Sequence, residues 1–221
     1  MVFGALGDRS GRARAMSFSI LCYSTFTMSH LLCHSPEMFA LSRFLAGLGV
    51  GGMWPNGIAL ASEALTTMSR PMLSGILGTS ANVGLVLMGV LAYRIDVTPS
   101  DWRWFMNVAG LSLPLGFISL WLVPESPRWL SEVAVGHDQA GGAKVTPVRE
   151  VFGPALLTTT LLGIVLGTVP LMGGWGSANW MVPWADQVHA FSDPKAKALT
   201  QIARSVGGTM SSFLGGWFAS W

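Results

Sequence analysis

An all-α, polytopic membrane protein is the fold class this sequence predicts, and three observations predict it. Apolar residues make up 51% of the 221 residues while charged residues make up 11%, against about 25% charged in a soluble domain. Mean hydropathy is +0.50. The apolar residues are also gathered into long runs. Residues 16–32, 44–62, 71–93, 105–123 and 152–184 contain no Asp, Glu, Lys or Arg. Runs of about 18 or more apolar residues cross a hydrocarbon core of about 30 Å as helices. Lipid supplies no hydrogen-bond partners, so only helices or closed barrels span it, and these runs are too long for barrel strands.

The elements follow in order. Residues 1–7 read as the end of a helix and 8–14 as a tight charged turn. Helices are expected over 15–32, 38–64, 71–93, 102–123, 152–184 and 199–221, giving about six full spans and the end of another. The breaks carry Pro36, the polar residues 66–70, Asp96 to Asp101, and Pro124. Residues 131–150 form the longest polar segment, with Gly136, Gly141, Gly142 and Pro147, and read as a flexible linker. Pro170, Gly173, Gly174 and Gly176 are expected to interrupt the span over 152–184.

Numbering the connections alternately puts Arg9, Arg12, Arg14, Arg70, Arg128, Lys144 and Arg149 on one side, and Arg43, Arg94, Arg103, Lys195 and Lys197 on the other. The positive-inside rule makes the first side cytoplasmic. The net charge of +2 is spread over these short connections, which leaves no basic patch for nucleic acid. Cys22 and Cys33 lie eleven residues apart in one predicted helix, about 16 Å along its axis, too far to pair.

Three clusters carry chemistry. In Gly4-Ala5-Leu6-Gly7-Asp8-Arg9-Ser10-Gly11-Arg12-Ala13-Arg14 a carboxylate sits beside arginines around a glycine-rich reversal. Such groups can latch neighbouring helices through charge-assisted hydrogen bonds; the plainer reading is a positive-inside anchor. Arg43 opens a run bearing Gly47, Gly49 and Gly51, just inside a span. It either snorkels to the interface or serves a buried function. Trp54-Pro55-Asn56 follows at mid-membrane depth, as cavity lining or as a packing kink. The third cluster, Pro124-Glu125-Ser126-Pro127-Arg128-Trp129-Leu130, is a helix stop followed by an acid and a base. Asn82, Trp175 and Asn179 add polar and aromatic groups within spans, as further candidates for a solute cavity. His30, Cys33 and His34 share a helical face. They offer three ligands where a closed metal site needs four, and no metal is expected. No nucleophile–base pair or carboxylate pair suggests an enzyme, and no cofactor is expected.

The first cluster resembles the signature between the second and third helices of the major facilitator superfamily. It matches at Gly4, Leu6, Asp8, Arg9, Gly11 and Arg12 and departs at Ala13, where the family has a basic residue. The Arg43 run is similar to the family's fourth-helix motif. Pro124 to Leu130 resembles the signature after the sixth helix of the sugar porters and their organic-ion, metabolite:proton symporter relatives. The resemblance implies a twelve-helix, two-bundle fold of which this chain holds a part, truncated at both ends. Residues 1–130 would be the first bundle without its first helix, 131–150 a cytoplasmic linker, and 151–221 helices seven and eight.

It also implies alternating-access transport of a small organic solute (a sugar, an organic or aromatic acid, or an organic cation) across a cell membrane, the inner one if bacterial. Asp8, Arg9, Arg12, Glu63, Arg70, Glu125 and Arg128 would form a cytoplasmic salt-bridge gate, and Arg43 would couple transport to protons. The partners implied are the lipid bilayer, the solute and a proton. Lacking several helices of that fold, the chain is not expected to transport alone. The alternative is a non-transporting product, either a gene fragment or a helper of another membrane chain.

Overall fold

The computed structural model describes residues 2–98, 100–138, 152–189, 193 and 195–221, and no strand occurs among them. Helix α1 spans Val2–Ser10 and α2 spans Arg12–Met28, extended by a 3-10 turn over Ser29–Leu32. Helix α3 is Pro36–Ala64, α4 is Arg70–Arg94, α5 is Arg103–Gly110 and α6 is Ser112–Leu122. Then come α7, Pro127–Asp138, α8, Leu157–His189, and α9, Ala196–Phe218.

Every expected span contains a helix, although residues 152–156 are turns and bends and Leu111 divides the span over 102–123 into α5 and α6. Four are long and apolar enough to cross a membrane by length and composition: Pro36–Ala64, Arg70–Arg94, Arg103–Leu122 and Leu157–Val188. Helix α2 has only 17 α-helical residues. Laid end to end with its four-residue 3-10 turn, it reaches roughly 34 Å, enough for the core of a bilayer. Helix α9 includes Lys197 and Arg204, which lower its hydropathy.

The charged turn expected over 8–14 is reduced to one residue. Helix α1 runs on through Ser10, α2 begins at Arg12, and Gly11 alone makes the corner at φ 107° and ψ 150°. That region of backbone space is essentially reserved for glycine. The first part of the expected linker is helical too. Helix α7 continues to Asp138, started by Ser126 and by Pro127 at its first position, a sequence pair well suited to opening a helix. The remaining linker positions, 139–150, lie outside the described residues. Helix α8 is continuous across the proline and glycines expected to interrupt it; a span in lipid keeps its backbone bonded internally.

Two compact units emerge. The described residues of Met1–Thr79, Val97–Ala143 and Ser212–Trp221 form the first, and those of Ser80–Asp96 and Lys144–Ser211 form the second. In the first unit α2 is the central helix, and its buried residues are small: Ala13, Ala15, Ser17, Ser19, Ser24 and Thr27. Ser19 Oγ donates to the Gly49 carbonyl of α3. Ser119 Oγ of α6 donates to Ser17 Oγ at 2.7 Å, and the Ser24 and Ser112 hydroxyls meet at 2.7 Å. Large apolar side chains face outward, with Trp121 88% and Leu122 75% exposed. A soluble core has the opposite arrangement. In lipid there is no hydrophobic drive between helices, so small residues and interhelical hydrogen bonds hold them together. The second unit pairs Lys197 Nζ with Asp186 Oδ1 at 3.3 Å and sets Lys195 Nζ 4.5 Å from the Tyr93 ring centre.

Candidate functional site

The first unit holds two polar corners. At the Gly11 corner, Arg12 Nη1 lies 2.6 Å from Asp8 Oδ1 across the break between α1 and α2. Its Nε lies 3.6 Å from Glu63 Oε1, on the last turn of α3. That distance is an ion pair without a hydrogen bond, and Arg12 Nε has no hydrogen-bond partner. Ser126 Oγ, fully buried, donates to the other Glu63 oxygen. Among the described residues Glu125 pairs with no arginine. Its Oε1 accepts the backbone N–H of Ala13 at 2.9 Å and that of Ser126 at 3.0 Å. The N-terminus of α2 has no side-chain cap of its own, so Glu125 supplies one from 112 residues along the chain, where a carboxylate also complements the helix dipole. Trp129 closes the corner, its Nε1 donating to the Asp8 carbonyl at 3.0 Å.

Of the seven residues expected to form a gate, the structure brings Asp8, Arg12, Glu63 and Glu125 together. Arg9 and Arg70 are exposed, and among the described residues neither forms an ion pair with this cluster. Arg128 is exposed on the first turn of α7. Ser126 and Trp129 belong to the corner although ion-pair reasoning passed over them. A Ser-Pro pair opening a helix was the signal that could have found Ser126. The Asp8–Arg12 pair is 42% and 24% exposed, and an ion pair so open to solvent contributes only about 0.2–1 kcal/mol. Glu63 is more enclosed, at 15%.

At the second corner, Arg43 reaches from α3 to the end of α2. Its Nη2 donates to the Phe26 carbonyl at 3.0 Å and lies 3.4 Å from the Thr27 carbonyl. The guanidinium sits 5.4 Å from the Phe39 ring centre, and Nη1 lies 3.9 Å from Met106 Sδ. Arg43 thus adds a charged donor to carbonyls at a helix C-terminus, where a cation suits the dipole; the Phe26 carbonyl also accepts from the Ser29 and Ser42 hydroxyls, each at 2.7 Å. Among the described residues none of its contacts is a carboxylate.

The cavity candidates are spread out. Asn56 is 1% exposed and donates through Nδ2 to the Phe3 carbonyl of α1 at 3.0 Å and the Gly52 carbonyl at 2.8 Å. It ties α3 to α1 next to Pro55, which lies inside the unbroken helix α3. Trp54 is 42% exposed, and Trp175 and Asn179 lie on the outward surface of α8. Asn82, in the second unit, packs against Gly208. A groove of about 380 Å³ in the first unit is lined by Phe3, Cys22, Phe26, Leu45, Leu48 and glycines of α3. His30 and Cys33 bond within their own turn, to the Thr27 and Ser29 carbonyls, and His34 is exposed.

Comparison with known proteins fits this architecture. The chain is 32% identical to the inner membrane metabolite transport protein YgcS of Escherichia coli, over 59% of its own length and 29% of that protein. It is 26% identical to a gallate transporter of Pseudomonas putida, over 97% of the chain and 52% of that protein. A gentisate transporter of Corynebacterium glutamicum is 30% identical, over 64% and 33%. The chain thus spans about half or less of the length of these relatives. They are transporters, in keeping with the expectation of a transport protein rather than an enzyme. The family model for the Major Facilitator Superfamily matches residues 1–221, and the chain, a multi-pass helical membrane protein, belongs to that superfamily.

Proposed function

We propose that the fold to which this chain contributes moves a small organic solute across the membrane by alternating access, driven by protons. The observation that carries this reading is the Gly11 corner, where Arg12 stands between Asp8 and Glu63 while Ser126 holds Glu63 from the other side. A cluster of weak, partly exposed ion pairs joining three helices can break and re-form at little cost, as a gate between rocking bundles requires. On the positive-inside rule this corner faces the cytoplasm. Hydroxylated aromatic carboxylates are the first solute class to test, since two relatives are named for gallate and gentisate. Arg43 is the proposed coupling group; its guanidinium is held by neutral carbonyls and a thioether.

The test is uptake into proteoliposomes under an imposed pH gradient. Labelled gallate, glucose and tetraethylammonium would be offered to the 221-residue chain and to the chain extended by its flanking coding sequence. Saturable gallate uptake that collapses with a protonophore is expected of the extended protein. Uptake of none of the three by either form would sink the proposal and favour a non-transporting product. Gradient-independent uptake would remove the coupling role of Arg43.

A further inference from the structure

We infer that Arg204 receives the carboxylate of a small organic acid, on a polar stripe that α9 turns towards α4. The second unit supplies every part of it. Lys197, paired with Asp186 at 3.3 Å, marks the charged end of α9, and residues 205–221 carry no charge. Arg204 stands seven residues beyond Lys197, about 10 Å along the axis at about 1.5 Å per residue. A charge at that depth in lipid is expensive unless something pairs with it, and such residues face protein or a polar path. Helix α9 meets α4 at two levels. A Cβ on Gly89 would lie 2.9 Å from Ile202 and 3.4 Å from Gln201, and one on Gly208 would meet the Asn82 amide. Arg204 and Ser205 fall between these levels, on the helical face they share with residues 201 and 208.

That face is polar but holds no acid. A guanidinium only donates, so Arg204 Nη2 takes the amide oxygen of Gln201, at 3.4 Å, while Gln201 Nε2 donates to Ser205 Oγ at 2.9 Å. Ser205 is 1% exposed, and Gln201, Arg204 and Asn82 are half-buried. Among the described residues this long bond is the one the Arg204 side chain makes, and its enclosed Nε has no acceptor. The acids described in the second unit are Asp96, Asp186 and Asp193. Asp186 is taken by Lys197 and Asp193 by the N–H of Lys195, and neither α4 nor α9 contains Asp or Glu. The guanidinium is thus a charge whose partner is a neutral oxygen at the edge of hydrogen-bonding range. A carboxylate fits the fork better. It accepts two parallel bonds of about 2.7–2.9 Å, each roughly twice as strong as a neutral one. An acid that sets its oxygens against Nη1 and Nη2 displaces Gln201 Oε1 and leaves that amide on Ser205. Arg204 also leans towards Gln201, one turn nearer the charged end of α9, so an anion entering from that end meets the guanidinium first.

This inference deepens the proposed organic-acid transport by naming the group that reads the acid, and it rests on that reading for the choice of solute. The test is equilibrium binding of labelled gallate to the 221-residue chain in nanodiscs of zwitterionic lipid. Unlabelled gallate and benzoate should displace the label, whereas the carboxamide of gallate, which keeps the ring and loses the charge, should not. Arg204→Gln is expected to weaken binding by about tenfold to a hundredfold. Arg204→Lys, which keeps the charge and loses the fork, should fall between the two. Gln201→Glu sets a carboxylate of the chain's own against Arg204 and should abolish binding. The absence of saturable gallate binding, equal displacement by the carboxamide, or full affinity in Arg204→Gln would each overturn the inference. If Arg204→Gln does not fold, Gln201→Glu keeps the arginine and decides the matter, since full affinity there denies the site. Binding that follows the expected pattern without any uptake would remove the transport reading and leave the site. Gallate uptake by the extended protein that is undiminished in Arg204→Gln would remove the site and leave transport.

Discussion

Glu125 caps a helix to which it does not belong: its Oε1 accepts the N–H of Ala13 at 2.9 Å, across 112 residues of sequence. A cap is worth about 0.5–2 kcal/mol and a charge at a helix terminus about 0.3–1 kcal/mol. Glu125→Ala is therefore expected to destabilise the protein by about 1–2 kcal/mol, whereas Glu125→Gln, which keeps the acceptor and loses the charge, costs less than half of that. Unfolding in mild detergent, followed by denaturant titration, separates the two. Equal losses would mean that charge, not the hydrogen bond, is what the corner requires.

Gly11 cannot be replaced. Its φ of 107° suits only glycine, and a Cβ there would collide with the Glu125 carboxylate. Gly11→Ala is expected to cost about 1–3 kcal/mol from backbone strain, with the displaced cap in addition. The melting temperature and the yield of membrane-inserted protein should both fall, and by more than in Glu125→Ala. A neutral outcome would show that the corner can rearrange.

Ser126 reports on whether the corner opens. Its side chain is 0% exposed and held by Glu63. In a background with Cys22 and Cys33 replaced by alanine, Ser126→Cys should react slowly with a soluble maleimide. Adding Arg12→Ala, which removes the bridge between Asp8 and Glu63, should speed labelling roughly two- to fivefold, equivalent to about 0.4–1 kcal/mol of opening. An unchanged rate would deny the ion pairs any role in keeping the corner shut.

Asn56 and Gly7 should behave as a coupled pair. Asn56 bonds α1 and α3 carbonyls through Nδ2, and a Cβ on residue 7 would run into its Oδ1. Asn56→Ala alone is expected to cost about 1–2 kcal/mol. Gly7→Ala alone costs a comparable amount from the clash. Because truncating Asn56 clears the space, the double variant should lose measurably less than the sum, by about 0.5 kcal/mol or more. Strict additivity would mean the two helices do not meet as closely as described.

Much of this was legible in the sequence because membrane helices announce themselves: charge-free runs fixed where the spans lie, and the helices Pro36–Ala64 and Arg70–Arg94 begin and end within a few residues of expectation. The location of the polar corners was equally plain, since Asp8, Arg12, Glu63 and Glu125 sit at the ends of those runs. Which atoms meet was not. Glu125 beside Arg128 reads as an ion pair, yet the carboxylate turns to a backbone N–H 112 residues away, a partner that carries no sequence signal. Asn56 reads equally as cavity lining or packing, and only tertiary placement puts its amide on Phe3. In the sequence His30 stands out only as one of three possible ligands on a helical face. Burial beneath Trp102 depends on how α5 returns over the end of α2, which periodicity does not encode.

The long reach of Glu125 also bears on how the protein is made. At about 5–20 residues per second, the Ala13 N–H leaves the ribosome roughly 6–22 s before the carboxylate that will accept it. Through that interval the first turn of α2 needs another acceptor, and hydrocarbon has none, an unmet donor there costing several kcal/mol. Water and lipid headgroups must serve meanwhile. The order of synthesis therefore favours keeping the Gly11 corner at the membrane surface until the Glu125 segment arrives to supply the missing acceptor.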